Sequence, residues 1–161
     1  MFKRSSRPRP EDSAPPLADL RNILVPLDGK TASYGALGLA CSIAKRNKGT
    51  VYIAHVIEVR RSLPLDAELA TEVQAGEAIL STGERVAEEM DFKVQAELLQ
   101  SREAGSALAD EAVERGVDGI ILGVDFTAPY GEFQMGRTTQ YLLKNAPCQV
   151  WLLRGAQGVS G

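Results

Sequence analysis

From Ile23 to Leu153 the sequence alternates between short apolar runs and longer segments of helical periodicity. That alternation restricts the fold more than any other feature. Ile23–Leu27 is a continuous apolar run, as a strand buried on both faces requires. Thr31–Asn47 places Tyr34, Leu37, Cys41 and Ala44 on one helical face, and Asn47-Lys48-Gly49 supplies a C-terminal stop. Thr50–Ile57 is rich in β-branched and aromatic residues and reads as a second strand. A loop over Arg60–Asp66 holds Pro64. The next helix runs from about Ala67 to Met90, where Leu69, Val73, Gly76, Leu80, Gly83, Ala87 and Met90 recur at alternating steps of four and three. Phe92–Leu99 alternates, with Lys93, Gln95 and Glu97 on its polar face, which predicts a half-exposed strand at a sheet edge. Ser106 is the expected cap of a helix that ends near Gly116. Gly119–Leu122 reads as a strand, Thr138–Asn145 as a helix and Gln149–Leu153 as the last strand.

Strands that alternate with helices imply a doubly wound α/β fold: a five-stranded parallel sheet with helices on both faces. Right-handed crossovers leave few topologies for it. Ligands of such sheets bind outside the carboxyl ends of the strands, where the winding direction reverses. The segments at those ends are Pro26-Leu27-Asp28-Gly29, His55-Val56-Ile57 and Leu122-Gly123-Val124-Asp125.

The length of 161 residues suits one domain, expected over residues 20–155. Residues 1–19 contain Pro8, Pro10, Pro15 and Pro16 among Ser, Arg and Asp, without apolar periodicity, and are expected to form a disordered tail. Residues 156–161 are expected to be a second loose end. The net charge of −3 gives no support for nucleic-acid binding. No apolar run approaches the roughly 20 residues that span a bilayer. The basic residues at the start are not followed by an apolar stretch, so a secretory signal is not expected. Cys41 and Cys148 both lie in apolar surroundings and are expected to be reduced thiols of a cytoplasmic protein.

Two segments imitate a P-loop, GxxxxGK[ST]. Gly29-Lys30-Thr31 follows a strand and opens a helix, but the position of the first glycine is Leu24, inside the strand, so Lys30 reads as a solvated first-turn residue. Gly131 and Gly136-Arg137-Thr138 have the right spacing, yet the preceding strand ends near Leu122, too early for a Walker loop. The chemistry at Gly136 still suits an anion. A glycine lets backbone approach a ligand, Arg137 can neutralise phosphate, and Thr138 and Thr139 offer hydroxyls at a helix start. The plainer alternative there is a helix cap beside an exposed arginine.

Taken together, NILVPLDG at the first strand, AHVIE at the second, GVDGIILG before the late loop and KNAPCQVWLL at the end resemble the universal stress protein family over about residues 20–154. The ATP-binding members of that family carry G-x2-G-x9-G-[ST] in this loop. Gly123 and Gly136 match its first and last glycines; Phe126 stands where the middle glycine would be, and Arg137 where the hydroxyl residue would be. The resemblance implies an adenine-nucleotide crevice. In it Asp28 meets the adenine or ribose side beside Pro26 and Leu27, Val56 lines the base pocket, and the segment from Leu122 and Gly123 to Gly136 surrounds phosphate. The implied ligand is of the ATP, AMP or cyclic di-AMP class, with Mg²⁺ as an optional companion. Phe126 either blocks phosphate or stacks on a base. If it blocks, the domain is a ligand-free dimerisation and interaction module. The phrases VIEVRRSLPLDAEL and MGRTTQYLLKNAPCQVWLL are also similar to modules attached to some amino-acid permeases, which implies a sensor that regulates a transporter.

His55 is the only histidine, so a histidine-based triad or a multi-histidine metal site has nothing else to draw on. It reads as a structural strand-end residue. Asp28 follows an apolar strand at the usual crevice position and can also cap the helix that starts near Thr31. Asp125 is the candidate Mg²⁺ contact. Without an evident general base near the loop, the expected role is non-catalytic binding, with slow ATP hydrolysis at most. Val150, Trp151, Leu152 and Leu153 form an apolar last strand that is an aggregation hazard if left bare. A homodimer paired through that strand, which the resemblance also implies, covers it; alternatively Trp151 packs on the last helix.

Overall fold

A computed structural model of the chain describes residues 20–125 and 135–155. Among these residues five strands and four helices alternate: β1 Asn22–Pro26, α1 Thr31–Asn47, β2 Thr50–Glu58, α2 Ala70–Glu88, β3 Gln95–Ser101, α3 Ala104–Arg115, β4 Gly119–Val124, α4 Arg137–Asn145 and β5 Gln149–Arg154. All pairings are parallel, in the order β3-β2-β1-β4-β5. The α/β sheet is therefore doubly wound as expected, with β3 and β5 at its edges. The tails expected over residues 1–19 and 156–161 lie outside the described residues, and so does Phe126.

The central strands alternate sides although both sides are apolar. Ile23, Val25 and Leu27 join Val51, Ile53 and Ile121 in a core with α1 and α2. Leu24, Ala54, Ile120 and Leu122 join a second core with Leu108, Ala109 and Ala112 of α3 and Leu142 of α4. Successive side chains of a strand point to opposite faces, so a run without polar residues is the pattern that two helical layers demand. The repeat expected on α2 is the face that meets the sheet: Gly76, Leu80, Gly83 and Ala87 are all buried.

Several boundaries differ from expectation for identifiable reasons. β3 starts at Gln95 rather than Phe92, because the Phe92 N–H donates back to Ala87 O at 3.0 Å and closes the end of α2. Ser106 is not the cap of α3. That helix begins at Ala104 with Glu103 as its cap residue, and no side chain caps it. Gly105 sits where an added Cβ would lie 2.7 Å from the Tyr141 ring, so the position of this turn is dictated by packing on α4. At the end of α1 the left-handed residue is Lys48 (φ 56°), while Gly49 is needed for space: its Cβ would stand 1.9 Å from Arg21 O. Trp151 does not pack on α4. It lies with Leu153 against the α1 side of the sheet, its Nε1–H donating to Gln149 Oε1 at 3.0 Å.

Candidate functional site: a cleft at the strand-order reversal

The order β3-β2-β1-β4-β5 places the reversal between β1 and β4. β1 stays paired with β2 up to Pro26↔Ala54, but its pairing with β4 covers only Ile23↔Gly119 and Leu24↔Ile120. The two strands thus part toward their carboxyl ends. There a cleft of about 510 Å³ opens, within the usual range of small-molecule sites, roughly 300–1,000 Å³.

The cleft gathers the candidates chosen from sequence. Pro26, Leu27 and Asp28 line it from β1, Val56 from β2, Leu122 and Gly123 from β4, and Gly136, Arg137, Thr138 and Thr139 from the start of α4. Buried Leu27, Ala54, Leu108 and Leu122 give it an apolar interior, while Asp28, Lys30, Glu58 and Arg137 are exposed at its mouth. Apolar walls with a few charged groups at the opening suit a ligand with an aromatic part and an anionic part.

The loop after β1 is held firmly. Leu27 N–H donates to Ala54 O at 2.8 Å, and His55 Nδ1 lies 2.7 Å from Leu27 O. A carbonyl only accepts, so Nδ1 carries the proton in this contact. His55 also packs against α2, since a Cβ at Gly76 would meet its Cδ2 at 2.9 Å. The expected structural role of His55 therefore has a concrete form: it clamps the loop that carries Asp28. Asp28 Oδ1 accepts from Lys30 N at 2.8 Å, which ties the carboxylate to the residue before α1. Asp28 thus keeps its position on the cleft but does not cap α1 as expected: Lys30 is the cap residue of that helix, and no side chain caps it.

Gly123 touches the amino end of α1. A Cβ there would stand 2.0 Å from Ala32 O and 2.6 Å from Ser33 N. Gly136 is the opposite case. It is the cap residue of α4 at φ −66°, no side chain caps that helix, and an added Cβ would meet nothing within 4 Å. The first glycine of the loop motif is a packing glycine, whereas the last one faces open cleft.

Two ion pairs cross the cleft. Lys30 Nζ lies 4.0 Å from Asp125 Oδ2, and Arg137 Nη2 lies 3.8 Å from Glu58 Oε2. Sequence reasoning assigned Lys30 to solvent and passed over Glu58, Ser33, Ala104, Leu108 and Met135, all of which line the cleft. The rule that selected Val56, proximity to the carboxyl end of β2, selects Glu58 once that strand is extended to its observed end. Asp125 faces an ammonium, and among the described residues no three His, Cys, Asp or Glu side chains converge to hold a metal ion.

The sequence profile of the universal stress protein family matches residues 19–154. No curated protein sequence is significantly similar to the chain. Among solved structures, universal stress protein UspA from Lactobacillus plantarum is 26% identical, with a TM-score of 0.64 over 84% of this chain and 98% of that one. A universal stress protein from Archaeoglobus fulgidus has a TM-score of 0.71 at 18% identity, over 82% of this chain and 97% of that one. The fold also matches an Archaeoglobus fulgidus universal stress protein in complex with dAMP, with a TM-score of 0.67 at 16% identity over 82% of this chain and 96% of that one. Universal stress proteins holding cAMP or, in Arabidopsis thaliana, AMP share it too. With the family profile covering nearly the whole described chain, the protein belongs to the universal stress protein family.

Proposed function

We propose that the cleft binds an adenine nucleotide and that the protein acts as a non-catalytic, cytoplasmic nucleotide sensor. The observation that carries this reading is the convergence of Asp28, Gly123 and the start of α4 on one cleft with an apolar interior. The purine would lie against Pro26, Leu27, Val56 and Leu122, with the ribose near Asp28. Phosphate would meet the backbone N–H groups of α4 together with Arg137, Thr138 and Thr139. The nucleotides in structures of the same fold (dAMP, cAMP and AMP) support the ligand class. Mg²⁺ has no part in the proposal. The absence of a catalytic role is supported by two committed groups: His55 Nδ1 is engaged by Leu27 O, and the Ser33 hydroxyl donates to Lys30 O at 2.7 Å.

β5 is an edge strand with Leu152 exposed, which supports a homodimer paired through Val150, Trp151, Leu152 and Leu153. The similarity to modules attached to amino-acid permeases supports a transporter as the regulated partner. Among the described residues no helix is long and apolar enough to cross a membrane, so such a partner would be met at its aqueous face.

Thermal unfolding with and without AMP, ATP or cyclic di-AMP tests the reading. A ligand at 100 times its Kd stabilises by about 2.7 kcal/mol, which at about 2–4 °C per kcal/mol raises Tm by roughly 5–10 °C. Gly136→Ala adds a methyl to open cleft and should abolish most of that rise, while changing the stability of the free protein by at most about 1 kcal/mol. A Tm indifferent to every adenine nucleotide eliminates the sensor. The interaction module dimerising through β5 then takes its place.

A further inference from the structure

We infer, on the basis of the nucleotide reading above, that the cleft selects ligands carrying a single phosphate and that Glu58 sets the limit. Three carboxylates line the described cleft, Asp28, Glu58 and Asp125, against two cations, Lys30 and Arg137. Each cation already faces an acid, at 4.0 Å for Lys30–Asp125 and 3.8 Å for Arg137–Glu58. The phosphate end of the site is therefore not a basic funnel. Its mouth is slightly negative before any ligand arrives.

The backbone dipoles lead to the same limit. No side chain caps α1, but its amino end is crowded: the β4 backbone at Gly123 presses on Ala32 and Ser33, the Ser33 N–H donates to Lys30 O at 3.1 Å, and the Asp28 carboxylate stands beside it on Lys30 N. The amino end of α4 carries no side-chain cap and opens at Gly136. One helix terminus and one guanidinium can hold one phosphate. To reach Arg137 that phosphate must displace Glu58, whose carboxylate stays beside it on β2. A phosphomonoester brings about −1.5 to −2 charges at neutral pH, and each further phosphate of a polyphosphate adds about one more. The second and third phosphates would meet Glu58 and Asp125 with no third cation among the described cleft residues to offset them. Discrimination of this kind acts by repelling the wrong ligand, not by adding contacts to the right one. Because the Arg137 side chain is 93% exposed, the effect per charge is modest and screened by salt.

Calorimetric titration of the full chain with AMP, cAMP, ADP and ATP, at low salt and without divalent cations, tests this. AMP should bind on the order of tenfold more tightly than ATP, with ADP between them. Glu58→Gln removes an exposed charge without disturbing the core. It should strengthen ATP by about fivefold and AMP by less, which narrows the ratio. ATP binding as tightly as AMP to the native protein overturns the single-phosphate limit and leaves the nucleotide reading intact. An AMP-to-ATP ratio unchanged in Glu58→Gln overturns the role of Glu58. If none of the four nucleotides binds, both the limit and the underlying reading fall.

Discussion

Gly123→Ala offers the sharpest test of how the cleft is built. The new methyl would stand 2.0 Å from Ala32 O, 2.2 Å from Ala32 C and 2.6 Å from Ser33 N. All three are backbone atoms, so no rotamer change relieves the clash. The first turn of α1 would have to move off β4 until the shortest of these distances reached about 3.4 Å, where ordinary contact begins. Overpacking of a well-filled interior costs about 1–3 kcal/mol, and a clash with backbone on both sides belongs at the upper end, about 3 kcal/mol. That is a large share of a total stability of roughly 5–15 kcal/mol. In urea, with m of about 1–3 kcal/mol/M, the midpoint should fall by about 1–3 M with an unchanged m. Gly136→Ala is the internal control. It lies in the same loop motif but has no neighbour within 4 Å of its added Cβ, and its midpoint should move by at most about a third as much. The displacement of α1 would also carry Lys30 away from Asp125, so any nucleotide affinity should drop together with stability in Gly123→Ala and alone in Gly136→Ala. A Gly123→Ala protein within about 0.5 kcal/mol of the native one would refute the assignment of Gly123 as a packing residue.

Two further outcomes follow from packing. Burial raises the Cys41 thiol from 9.0 to about 11, so the folded state keeps the neutral form where the unfolded state ionises. Its contribution to stability is full below about pH 9 and is lost as pH rises through about 11, for a total of about 2–3 kcal/mol. Urea midpoints from pH 8 to 11 should therefore fall more steeply for the native protein than for Cys41→Ala, and parallel slopes would contradict the assignment. Leu152→Arg places a charge on the exposed part of the β5 edge and should convert a dimer into a monomer with little change in Tm. A mass by light scattering that does not differ between the two proteins would exclude pairing through that edge.

The sequence by itself determined the class of fold and the number of layers. Hydrophobic periodicity is a local property, and a chain that must bury both faces of a sheet writes it into every strand and helix. Ile23–Leu27 and the repeat on α2 are such signals, and so is the choice of Pro26–Asp28, Gly123 and Gly136–Thr139 as strand-end or helix-start residues. Only the tertiary structure decided what meets what. That β1 parts from β4, that Glu58 reaches across to Arg137, and that Gly123 exists for the Ala32–Ser33 backbone are long-range contacts with no periodicity to announce them. Ser106 illustrates the same boundary from the other side. Its capping chemistry is sound locally, but the packing of Gly105 against Tyr141 sets where α3 begins, and burial across two helices outweighs one exposed hydrogen bond.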